Sequence, residues 1–107
     1  MEEFSKEIWP VVRGCVPAGQ SIPNWTALKG YLGDVFQVVK VRDNHLDIDT
    51  PNASTLIRVS REDFENVWDL WSGYKAGKVQ RQDLTPLTFN SKYVISILHW
   101  LETEKKT

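Results

Sequence analysis

The run VSREDFENVWDLWSGYKAG, from Val59 to Gly77, constrains the fold most, because it holds a helix start, an amphipathic middle and a helix stop in order. Ser60 is placed to cap the first turn with its hydroxyl. Asp63 is placed to return a carboxylate to the cap amide, and Val59 and Phe64 fit a hydrophobic staple. Phe64, Val67, Trp68, Trp71 and Tyr74 then recur at helical spacing and form one aromatic stripe. Gly77 supplies the left-handed residue that stops the helix, and Lys75 and Lys78 suit the negative end of its dipole.

Upstream, the pattern is β. VFQVVKV, HLDID and STLIRV are short strands separated by RDN and TPN, which are turn chemistry. Tight connections of this kind give an antiparallel meander, with Phe36, Val38, Leu46, Ile48, Ile57 and Val59 on its inner face. The first thirty residues read differently. EEFSKEIW suits a short helix ended by Pro10, GCVPAGQSIPN is loop, and Asn24 or Thr26 suits the cap of one more helical turn before Gly30. After Gly77, VQRQDLTPL reads as one irregular helical turn broken at Pro86. A last helix capped by Asn90 or Ser91 then runs to about Glu104. On it Val94, Ile97, Leu98 and Leu101 form a core stripe flanked by Tyr93 and Trp100, while Lys92, Ser96, His99 and Thr103 form a narrow polar face. So wide an apolar arc places this helix centrally. The expected fold is therefore α+β, a three-stranded antiparallel meander packed against C-terminal helices.

At 107 residues, with 41% hydrophobic and 25% charged residues, the chain makes a single globular domain with a core of its own. No apolar run spans a bilayer, so no membrane partner is expected. The acidic start MEEFSKE and the lone Cys15 point to the cytoplasm, with Cys15 a small structural residue. Net charge is −1. Residues 1–67 carry seven Lys/Arg against ten Asp/Glu, and residues 68–107 carry six against four, so the C-terminal part is mildly basic.

Three constellations carry functional readings. The richest is aromatic: Trp68, Trp71, Tyr74, Tyr93 and Trp100 exceed what three strands and two helices readily bury, which points to a partner interface, most simply a twofold homodimer. The second reading is a winged-helix-like DNA- or RNA-binding domain. In it Lys75, Lys78 and Arg81 reach phosphates while Lys92, Ser96 and His99 face bases. The acidic Glu102 and Glu104 at the end of that helix count against it. The third is His45, Asp47 and Asp49, which alternate along one strand face and form a candidate divalent-cation site for a metal-dependent nuclease. Polar residues there equally suit the solvent side of a half-buried strand. No catalytic residue stands out, no cofactor is called for, and neither GYLG nor GKVQR has the strand-to-helix setting of a phosphate loop.

The segment FENVWDLWSGYKAGKVQRQDLTPLTFNSKYVISILHWLE, with its order Trp71, Tyr74, Gly77, Arg81, Leu84, Asn90, Tyr93, Ile97 and Leu98, resembles small uncharacterised bacterial domains, some of them products of mobile integron gene cassettes. The likeness covers about the last 45 residues. It implies a cytoplasmic bacterial origin and no assigned chemistry, and it carries over no functional residue. The expectation is a non-enzymatic binding module that self-associates through aromatic residues.

Overall fold

The structure, a computed structural model, describes residues 8–51, 53–88 and 90–104, Glu104 by its backbone alone. Its elements in chain order are α1 (Ile8–Cys15), β1 (Ser21–Thr26), β2 (Gly30–Val41), β3 (His45–Asp49), β4 (Ile57–Ser60), α2 (Arg61–Lys75), α3 (Arg81–Leu84) and α4 (Ser91–Glu104). The strands form one antiparallel sheet in the order β1-β2-β3-β4. The architecture is α+β. No helix among the described residues is long and apolar enough to cross a membrane.

The sheet has four strands where three were expected. The additional strand, β1, lies in the stretch read as loop and helical turn. It forms because β2 starts at Gly30, five residues before Val35, and the two close a hairpin around Ala27–Lys29, with Thr26 opposite Gly30 and Trp25 opposite Tyr31. Gly30 at φ +74° supplies the left-handed position such a three-residue turn needs. β4 begins at Ile57, not Ser54. The helix end expected at Pro10 is also displaced. Pro10 lies within α1, which continues past it to Cys15. Residues 2–7 of that expectation lie outside the described residues.

α2 follows its sequence signals closely. The Asp63 amide donates to Ser60 Oγ at 3.2 Å, the Ser60 amide donates to Asp63 Oδ2 at 2.9 Å, and Gly77 takes φ +83° just past the C-cap Ala76. The helix turns Phe64, Val67, Trp71 and Tyr74 into the core and leaves Trp68 partly exposed. α4 is central. None of its residues from Ser91 to Glu102 is exposed, since it packs on β1 on one side and on α2 on the other. Ser96, expected on a polar face, is buried for the same reason.

Ile22, Phe36, Val38, Leu46, Ile48 and Val59 face the helices, and Ile57 is partly buried beside them. The opposite sheet face carries the exposed Gln37, Lys40, Asp49 and Arg58, which is the one-side-wet pattern of an antiparallel sheet. α1 adds Ile8, Trp9 and Val12 to the core, with the Trp9 ring 5.7 Å from that of Phe64. Its place is fixed by the Trp9 indole N–H, which donates to the Asp43 carbonyl at 2.8 Å.

Candidate functional site

The hairpin of β1 and β2 is longer than the sheet it belongs to. β2 pairs with β3 only from Gln37 onward, so residues 30–36 have a neighbouring strand on the β1 side alone and form a projecting two-stranded arm. The helix layer holds the arm from beneath. The Trp25 amide donates to Ser96 Oγ at 3.0 Å, the Ala27 amide donates to the Tyr74 hydroxyl oxygen at 3.1 Å, and the Trp25 indole meets Trp71, Tyr74 and His99. Tyr31 sets its ring edge-on against His99, 5.5 Å between centres. Fixed there, the arm presents apolar side chains to solvent: Leu28 is 88% exposed, Tyr31 57%, Val35 49% and Leu32 42%. Such a concentration of exposed apolar residues on one short element is a mark of an interaction surface.

The two outer strands offer no comparable opening. On β1 the Ser21 carbonyl accepts from Gln20 Nε2, Pro23 has no N–H to give, and Ser96 occupies the Trp25 amide. On β4 the Arg58 carbonyl accepts from Asn90 Nδ2 at 2.9 Å and the Ser60 amide is held by Asp63. Side chains thus occupy several backbone groups on both outer strands, which obstructs strand addition there. Asn90 stands immediately before α4, as expected of a cap, with its carbonyl accepting from the Val94 amide at 3.0 Å, and its side-chain amide donates to the Arg58 carbonyl and to Asp63.

The aromatic interface candidates divide. Trp71 (2% exposed), Tyr74 (3%) and Trp100 (9%) belong to the core, while Trp68 and Tyr93 are partly buried at its margin. The stripe is absorbed because the core is larger than expected. β1 and α1 add Trp25 and Trp9 as partners, and Trp71 is further held by its indole N–H, which donates to Glu102 at 3.1 Å. Val11, Leu56 and Leu87 are exposed singly elsewhere, and the exposed apolar residues of the arm, Leu28, Tyr31, Leu32 and Val35, were missed by sequence reasoning. Their signal was the stretch WTALKGY, a three-residue turn with glycine at the left-handed position between two aromatics that become a cross-strand pair.

The nucleic-acid candidates do not share a face prepared for a duplex. Lys75 pairs with Glu102 at 3.0 Å, Lys92 lies over the Tyr93 ring, His99 is stacked on Trp25, and Ser96 is buried under β1. From Ser91 to Glu102 the helix has no fully exposed residue and only Lys92, Tyr93, His99 and Glu102 are partly open, which is a poor surface to lay in a groove. Arg81 and Lys78 remain exposed at the α2–α3 connection.

His45 and Asp47 do meet, with Nε2 3.4 Å from Oδ1, but Arg42 takes the other carboxylate oxygen at 3.5 Å, so both oxygens of Asp47 already have basic side chains beside them. Asp49 stands opposite Gln37. Among the described residues no group of three His, Cys, Asp or Glu side chains is placed to hold a metal ion.

Besides a concavity of about 380 Å³ beside Asp63 and Thr88, two more lie among the described residues. One, of about 420 Å³, lies among α1, α2 and α4, with Ile8, Val11, Trp68, Leu98 and Leu101 on its walls and the Lys75–Glu102 pair at one end. The other, of about 280 Å³, lies between the arm tip and the α2–α3 connection. Compared with known proteins, the chain matches no family model, no curated protein and no solved structure. The likeness of its C-terminal part to integron cassette products therefore rests on residue order alone.

Proposed function

We propose that this chain is a non-enzymatic cytoplasmic interaction module whose first partner is a second copy of itself, joined through the β1–β2 arm. The observation that carries this reading is the cluster of Leu28, Tyr31, Leu32 and Val35, exposed on an element that the helix layer holds rigid. A rigid apolar platform associates at less entropic cost than a loop that must order as it binds. The charges favour a like partner. Lys29 and Asp34 flank the apolar residues, and among the described residues neither has an ion-pair partner. In an antiparallel twofold arrangement Lys29 of one copy comes beside Asp34 of the other, which is the self-complementarity an isologous interface requires. The reading places the interface on the arm and not on the helical aromatics. The lone Cys15 suits a reducing compartment.

Sedimentation velocity over a range of protein concentrations tests it. The wild type is expected to shift reversibly from monomer to dimer, and Leu32→Glu, at a 42% exposed position, is expected to stay monomeric with an unchanged melting temperature. A wild type that remains monomeric into the hundreds of micromolar refutes the reading, as does a Leu32→Glu variant that dimerises equally well.

A further inference from the structure

We propose that the pocket between the arm tip and the α2–α3 connection is a binding site for a small organic carboxylate. Its shape is fixed by the backbone. After Lys75 the chain reverses through Ala76 and Gly77, and the amides of Lys78 and Val79 both donate to the Gly73 carbonyl, at 2.8 and 3.1 Å. Val79 is seated against Gly73, where a side chain on residue 73 would meet it. On the other wall the arm tip is tied to Tyr74 through the Ala27 amide. The enclosed volume is about 280 Å³, enough for a carboxylic acid of modest size and too small for a dinucleotide.

Two polar groups on the walls, Tyr74 and Arg81, keep donor capacity to give. Tyr74 is only 3% exposed, and its hydroxyl oxygen is filled by the Ala27 amide, so its own proton remains to be given and has no acceptor among the described residues. Arg81 makes one marginal contact, from Nε to Ser91 Oγ at 3.4 Å, and no carboxylate reaches its guanidinium among the described residues. Lys75 also lines the pocket, but its ammonium is paired with Glu102 at 3.0 Å, and no Asp or Glu lies in the lining. Arg81 is therefore the cation offered to a ligand, beside a buried hydroxyl donor. A planar carboxylate suits it, since guanidinium offers paired N–H donors to two oxygens while the Tyr74 O–H serves one of them. Leu28 and Val79 supply apolar walls for a short hydrocarbon body. Ala27 and Leu28 of the arm line the pocket and Leu28 also belongs to the proposed self-association surface, so the monomeric Leu32→Glu variant is needed to separate the two.

Titration of the full chain with benzoate and with butyrate, followed by backbone amide chemical shifts, tests the assignment. Both probes are expected to give saturable shifts centred on Ala27, Leu28 and Gly77 in the wild type and in the monomeric Leu32→Glu variant. Arg81→Gln, at an exposed position, is expected to abolish them without altering the fold. Tyr74→Phe is expected to weaken binding several-fold, and Lys78→Gln, which removes a cation outside the pocket lining, to leave it unchanged. Absence of saturable shifts at tens of millimolar probe overturns the proposal, and so do equal shifts in Arg81→Gln. Inorganic phosphate binding as tightly as either carboxylate would overturn the ligand class.

Discussion

The imidazole of His99 lies flat on the indole of Trp25, 3.9 Å between ring centres and 9° between planes. This contact joins the last helix to the first strand, elements that are distant in sequence, and it sits where the arm leaves the sheet. Removing it with His99→Ala is expected to cost about 1 kcal/mol, within the range of aromatic pairs. The effect should be local. Amide hydrogen exchange at Trp25 and Tyr31 should accelerate much more than at Leu46 or Ile48, and equal acceleration across the sheet would show that the stack does not brace the arm.

Asp63 is a stronger node than the serine it caps. Its Oδ2 accepts from the Ser60 amide and from Asn90 Nδ2, and its Oδ1 accepts from the Thr88 hydroxyl at 2.6 Å, so one carboxylate ties the start of α2 to the entry of α4. Ser60→Ala should lower stability by about 1 kcal/mol. Asp63→Ala should cost more, roughly 2 to 3 kcal/mol, since it also leaves the largely buried Thr88 hydroxyl without its acceptor. Urea denaturation of the two variants checks the order. Phe64→Ala, which empties a fully buried site, should exceed both at about 3 to 5 kcal/mol.

Gly73 sits within α2, where alanine would ordinarily add about 1 kcal/mol of helix preference. Here a Cβ would stand 2.8 Å from Val79 Cγ2. Gly73→Ala is therefore expected to destabilise by displacing Val79. In a Val79→Ala background the same substitution should become stabilising, and a double-mutant cycle by thermal denaturation measures that reversal.

Trp68 and Trp71 differ by one helical turn less a step and by their surroundings. Trp71 is 2% exposed, hydrogen-bonded to Glu102 and covered by the Lys75 ammonium at 5.4 Å, whereas Trp68 borders the groove among α1, α2 and α4. With each left as the only indole on α2, acrylamide should quench Trp68 several-fold more than Trp71. Equal quenching would contradict the placement of this helix.

What could be read from the sequence was what local chemistry decides. The cap of α2 needs only Ser60 and Asp63, and its stop only Gly77, so this element was legible to within a residue or two. The inner faces of β3 and β4 were legible through alternation, Leu46 and Ile48 then Ile57 and Val59. β1 was not, because Pro23 and Asn24 are loop-forming by local preference, and what makes them a strand is the first half of β2 alongside and Ser96 on α4 above. That one missing element altered the functional reading. Without Trp25 in place, the aromatics of α2 looked too many for the core, and the residues truly left outside, Tyr31 and Leu32, looked like part of a loop. Arg81 was marked from sequence, but its pocket depends on the tip of the same hairpin.

The obstructed edges of β1 and β4 bear on stoichiometry. Ser96, Asn90 and Asp63 already occupy the Trp25 amide, the Arg58 carbonyl and the Ser60 amide, so strand addition at β1 and β4 is obstructed, whereas residues 30–36 of β2 have a second side with no neighbouring strand. Each chain has one arm. A twofold pairing made through it uses the same surface on both sides and leaves no equivalent surface behind, so growth by that route ends at two chains.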